Sequence, residues 1–160
     1  YEATNDWNEA AWQTWMQIGY GKTGSSPQLA ARLQYFRTGH DKSVMSRDRL
    51  MSAALAEMAV LQQGYQAPTE PQVRLADHAL ITKMESFMSE GVARGDFFDH
   101  DKTVAMQIAT IIVSDQGQAQ ESDEQALYDR ERRAFLMLAK TEKTGLRINA
   151  MLNGQGALRN

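Results

Sequence analysis

Apolar residues in this chain return every three or four positions in one segment after another, and a glycine closes most of the runs. That spacing is the period of a helix with one buried face, and a half-buried strand would instead alternate every second residue. Ala, Leu and Met number 43 against 12 Ile and Val, so straight-chain and small side chains, which lose little rotamer freedom in a helix, dominate over β-branched ones. The pattern predicts an all-α fold of about six or seven helices.

The first run starts after Asp6 and carries Trp7, Ala10, Ala11, Trp15 and Ile18, until Gly19 to Gly24 breaks it. Ser26-Pro27 opens a short second helix through Leu29, Leu33 and Phe36, with Gly39 as its stop. Ser46 is the expected cap of the strongest helix, whose stripe is Leu50, Met51, Ala54, Leu55, Met58 and Leu61 before Gly64. Residues 65–72 hold Pro68 and Pro71 and mark a joint inside a single helical domain spanning 1–160, because a residue before proline is pushed out of the helical region. Asp77 is the expected cap of a helix through Leu80, Met84, Phe87, Met88 and Val92, and Asp99 that of one through Val104, Ile108 and Ile112. The β-branched run Thr110 to Val113 allows a strand there, although the period favours helix. Ser114 to Glu121 reads as loop, and Ser122 with Gln125 as a capping box for a helix through Leu127, Ala134, Phe135 and Leu138. Thr144 opens the last helix, through Ile148, Met151 and Leu152 to Gly154.

Composition excludes several function classes. With 17 Lys and Arg against 20 Asp and Glu there is no basic excess for nucleic acid, and no basic stripe interleaves with aromatics. The absence of cysteine removes disulfides, thiolate metal sites and a thiol nucleophile, which is compatible with a cytoplasmic location. No apolar run approaches the roughly 20 residues needed to span a bilayer.

Local motifs for chemistry are weak. Gly19-Tyr20-Gly21-Lys22-Thr23 lacks a glycine six residues before the lysine, where Met16 stands, so it reads as a turn and not as a phosphate loop. His40-Asp41 and His100-Asp101, with His78, resemble the metal-binding set of HD-domain phosphohydrolases. Asp99 and Asp101 are equally explained as acidic residues opposing a helix dipole. There is no Glu-x-x-His for a di-iron bundle and no Gly-x-Ser-x-Gly elbow for a serine nucleophile. Trp7, Trp12 and Trp15 fit a core stripe better than an exposed binding patch, and the nine methionines read as core filler first. Within Asp129-Arg130-Glu131-Arg132-Arg133, Asp129 and Arg133 are spaced for an i,i+4 pair on a solvated face. The residues alone therefore describe a helical domain without a self-contained active site.

Three blocks, however, resemble a known family. Asp129 to Leu136, Lys143-Thr144, Arg147-Ile148, Met151-Leu152, Gly154 and Leu158-Arg159-Asn160 are similar to the tail of bacterial bifunctional 3-hydroxyacyl-CoA dehydrogenase/enoyl-CoA hydratases of fatty-acid β-oxidation. The branch is the one with its crotonase-type part at the C-terminus. Met45 to Leu50 with Gly64 to Pro68 is similar to a second block, and Phe97 to Asp101 to a third. The chain departs from the family at Gln155-Gly156-Ala157, where a Lys-Pro is usual, and around Gly145-Leu146. Residues before about 25 match poorly.

The resemblance implies that the chain is the last part of a longer polypeptide and forms the helical C-terminal part of a crotonase-type fold. It implies a partner, acyl-CoA, reached through the parent enzyme, and NAD as the parent's cofactor. The catalytic glutamates, the oxyanion hole and the dinucleotide turn would lie upstream, so no catalytic, cofactor-binding or metal-binding residue is expected in this chain. What remains is pocket closure and self-association or packing on the rest of the parent. The candidate substrate-pocket or interface residues are Met84, Phe87, Met88, Phe135 and Leu138. A free-standing helical interaction domain, binding through an aromatic- or Met-rich face, is the competing expectation.

Overall fold

The computed structural model describes residues 6–115 and 117–160. Among them are seven α-helices and one small sheet: α1 (Trp7–Gly19), α2 (Pro27–Arg32), α3 (Leu50–Leu61) behind a 3₁₀ turn Arg47–Arg49, β1 (Gln72–Leu75), α4 (Ala79–Ala93), α5 (Asp99–Ile112), β2 (Gln120–Asp123), α6 (Glu124–Ala139) and α7 (Glu142–Leu152). The mostly-α expectation of six or seven helices holds. β1 and β2 pair antiparallel from Gln72 opposite Asp123 to Leu75 opposite Gln120.

The chain divides into two compact units, one from residues 1–21 and 70–160 and the other from 22–69. The Pro-containing joint expected at 65–72 straddles the second boundary, and the Gly-rich turn after α1 lies at the first. In the larger unit α5 is central and packs on α1, α4 and α6. Its buried residues Ala105 and Ala109 stand one turn apart, and these small side chains let α1 come close enough for Trp15 to donate its indole N–H to the Ala105 carbonyl at 2.7 Å. Met84, Met88, Leu80, Ala76 and Val113 complete this core. Trp12 packs against it half-buried, so Trp12 and Trp15 belong to packing, whereas Trp7 stands outside this core beneath the Arg74 guanidinium.

The β-branched run at the end of α5 does both things the sequence allowed. It stays helical through Ile112, and Val113 then forms a parallel bridge to Ala76. Ala76 N–H donates to Ile112 and its carbonyl accepts from Ser114 N–H, each at 2.9 Å.

Several helix starts differ from expectation, one because distant partners claim the expected cap and others because a residue a few positions away caps instead. Asp77 does not cap α4: its carboxylate accepts from Asn8 Nδ2 at 2.6 Å and Ala119 N–H at 2.5 Å, tying α1 and the residue before β2 to the end of β1. At α5 the capping carboxylate is that of Asp101, which accepts from Phe98 N–H at 2.9 Å, while Asp99 is the first helical residue. Ser122 lies in β2 opposite Val73, so Asp123 caps α6 by accepting from Ala126 N–H, and the expected loop 114–121 ends in a strand. Thr141, not Thr144, caps α7. Ser46 makes no side-chain cap bond, and α2 ends at Arg32, beyond which Gln34 takes a φ of 62°.

In the smaller unit, none of the residues 22–69 is buried. Leu50, Met51, Leu55, Met58, Val60 and Leu61 of α3 are all at least half exposed, so the strongest apolar stripe of the sequence has no core of its own.

Candidate functional site

A cavity of about 590 Å³ opens in the larger unit between the C-terminal half of α1, the C-terminal half of α4, the first turns of α5 and the 157–159 segment. Its wall is a chain of aromatic rings. Trp15 meets Phe87 edge-on at 5.9 Å, Phe87 meets Phe97 at 5.9 Å, and Phe97 meets Tyr20 at 6.1 Å, spacings at which ring quadrupoles attract. Phe97 is held there by the turn that ends α4. Gly95 takes a φ of 81°, the N–H groups of Asp96 and Phe97 both bond the Gly91 carbonyl, and a Cβ at Gly91 would collide with the Phe97 ring.

The mouth of the cavity is polar. Arg147 donates through Nη2 to Asp101 Oδ1 at 2.7 Å and through Nε to Asn160 Oδ1 at 2.8 Å. Arg159 lies over the Phe98 ring at 5.0 Å and bonds the Asp96 carbonyl at 3.2 Å, while Asp96 pairs with Arg94 at 2.9 Å. Burial pushes the Asp101 carboxyl up, but the Phe98 N–H and the Arg147 guanidinium outweigh it and hold the group below its ordinary value. Next to it in the chain, buried His100 bonds Thr144 Oγ1 at 2.9 Å, and Thr144 in turn lies 2.9 Å from Thr141 Oγ1. Burial first, then Arg147 and Lys143, lowers the His100 pKa and favours its neutral form.

The expected site residues fall in three places. Phe87 and Met88 line the cavity, and Met84, fully buried, lies behind them in the core. Phe135 is largely exposed and Leu138 half-buried on α6, away from the cavity. With Leu136 and Met137 of α6 and Leu146, Ile148, Met151 and Leu152 of α7, Phe135 belongs to a set of exposed apolar side chains. The sequence did not single out Tyr20, Asp101, Arg147 or Arg159 for this cavity. Arg147 and Arg159 stood in the tail that carried the resemblance, but their partners lie 46 and 63 residues away, beyond the reach of any local pattern.

The charged run on α6 also needs correcting. Arg130 is not on a solvated face. It is buried, and its guanidinium donates to the Thr110, Ile111 and Val113 carbonyls at the end of α5 and to Asp115. It closes carbonyls that a helix end leaves without intrahelical donors. Asp129 accepts from Gln125 Nε2.

Metal-ligating residues do not cluster: among the described residues no group of three or more His, Asp or Glu converges. His78 donates through Nδ1 to the Ser114 carbonyl and His100 is engaged with Thr144. Among the described residues no helix is long and apolar enough to cross a membrane. Comparison with protein-family models, curated proteins and solved structures finds no match.

Proposed function

We propose that this chain is the helical C-terminal part of a fatty-acid β-oxidation enzyme similar to the bifunctional 3-hydroxyacyl-CoA dehydrogenase/enoyl-CoA hydratases, with no catalytic residue of its own. Its role is closure of the acyl-CoA pocket and assembly of the parent molecule, whose dehydrogenase half would use NAD.

One observation carries this reading. The block Phe97 to Asp101 bonds the end of the tail, across 44 positions from His100 to Thr144 and 46 from Asp101 to Arg147. Asp101 pairs with Arg147, His100 with Thr144, and Arg159 stacks on Phe98. The two segments that carry the resemblance thus lie against each other in one local surface, and that supports reading them together. The exposed apolar residues of α3 in one unit, and those of α6 and α7 in the other, support the assembly role, since exposed apolar side chains in number are what an interaction face needs.

The test is the intact product made by the native host. It is expected to be several-fold larger than 160 residues, to hydrate crotonyl-CoA and to oxidise 3-hydroxyacyl-CoA with NAD, whereas the 160-residue chain turns over neither. A native product that lacks both activities overturns the proposal and leaves a helical interaction domain. The exposed stripe of α3 would then be its partner-binding face.

A further inference from the structure

We propose that the cavity between α1, α4 and α5 binds a long-chain free carboxylate, with its alkyl chain among Trp15, Phe87, Met88 and Ile108 and its carboxylate on the Arg159 guanidinium.

The shape and lining suit an alkyl chain. At about 590 Å³ the cavity lies in the range of small-molecule sites, and aromatic, Met and aliphatic side chains form most of its wall. The charges at its mouth suit an anion. Of the four charged residues that line it, Asp101 is neutralised by Arg147 at 2.7 Å and Asp96 by Arg94 at 2.9 Å. Arg159 acts on Asp101 at longer range than Arg147 does, enters none of the ion pairs among the described residues and is exposed. Its bond to the Asp96 carbonyl occupies one of the guanidinium's five N–H donors. The guanidinium carbon lies 5.0 Å from the Phe98 ring centroid, a cation–π contact that leaves the fork's remaining donors open to two bonds with a carboxylate.

Arg159 and its neighbour Leu158 both line the cavity, so the anion has to be joined directly to the chain. A coenzyme A thioester does not meet that requirement: its carbonyl is uncharged and its phosphates stand at the far end of the pantetheine arm. The ligand is therefore the free acid and not its thioester. This assignment stands on the cavity alone and does not need the family reading to hold.

Titration calorimetry with dodecanoate, below the concentration at which it forms micelles, tests the site on the whole chain and on an Arg159→Gln variant. Dodecanol and dodecanoyl-CoA serve as comparison ligands. Dodecanoate is expected to bind at one site, and the variant to weaken it by about tenfold, the size of a lost charge-assisted pair, with dodecanol unchanged. The Trp15 indole N–H resonance, on the cavity wall, is expected to shift on binding. The proposal is overturned if dodecanoate does not saturate, if Arg159→Gln leaves its affinity unchanged or weakens dodecanol equally, or if the Trp15 resonance stays still. Tighter, Arg159-dependent binding of dodecanoyl-CoA would also overturn it. None of these results depends on whether the native product hydrates crotonyl-CoA.

Discussion

Arg130 shows how much one side chain can decide. In the sequence it stands third from Arg133 in a run that looks like a charged surface, yet it is buried and closes the C-terminal end of α5, while Arg133 stays exposed. Replacing Arg130 with Met is expected to cost about 3 kcal/mol, because buried carbonyls lose charged donors. Arg133→Met is expected to stay within about 0.5 kcal/mol. Urea unfolding of the two variants side by side checks the contrast. Titration adds a second consequence. His100 has its pKa lowered from an ordinary value near 6.5, so the unfolded chain takes up its proton first. Stability from this group is complete above about pH 6.5 and is lost as pH falls toward the lowered folded value. Asp101, also lowered, contributes in the same sense further down: its share is present above the ordinary carboxylate range and disappears as pH drops through the folded value. The urea midpoint is expected to fall between pH 7 and pH 5, and His100→Gln is expected to flatten that decline.

At the scale of elements, the turn from α4 to α5 shows how a helix ending shapes the cavity. Gly91 is helical, and alanine in a helix interior is ordinarily the more stable residue by up to about 1 kcal/mol. Here the sign reverses. A methyl group at 91 would meet the Phe97 ring, so Gly91→Ala is expected to destabilise the fold by about 1–3 kcal/mol and to displace one wall of the cavity. A lower thermal midpoint, with a changed Trp15 fluorescence, would report both effects. The helix centres were legible because the 3.6-residue period is written locally: α1, α4, α5 and α6 all lie over their apolar stripes. Their caps were less legible. Asp77, Asp99, Ser122 and Thr144 have the right chemistry, but Asp77 is claimed by other elements, Ser122 by the register of β2 on β1, and at α5 and α7 an oxygen-bearing neighbour two or three positions away caps instead.

For the whole molecule, the two units differ in what holds them. Residues 1–21 with 70–160 share the core around Met84, Ala109 and Val113, whereas none of the residues 22–69 is buried. Amide protection follows buried packing, so hydrogen exchange read by mass spectrometry is expected to be slowest in α5 and fastest across 22–69, α3 included. Equal protection of α3 and α5 would contradict it.

The sequence by itself determined that the chain is built from helices, where most of them run, and that no local motif for catalysis is present, because periodicity, glycine stops and motif spacing are properties of neighbouring residues. Tertiary structure alone decided that Arg130 turns inward, that Asp101 meets Arg147 across 46 positions, that Arg159 faces an apolar cavity, and that the strongest stripe, on α3, stays exposed. Each of these depends on which distant surface a side chain meets, and that is set only when the helices pack.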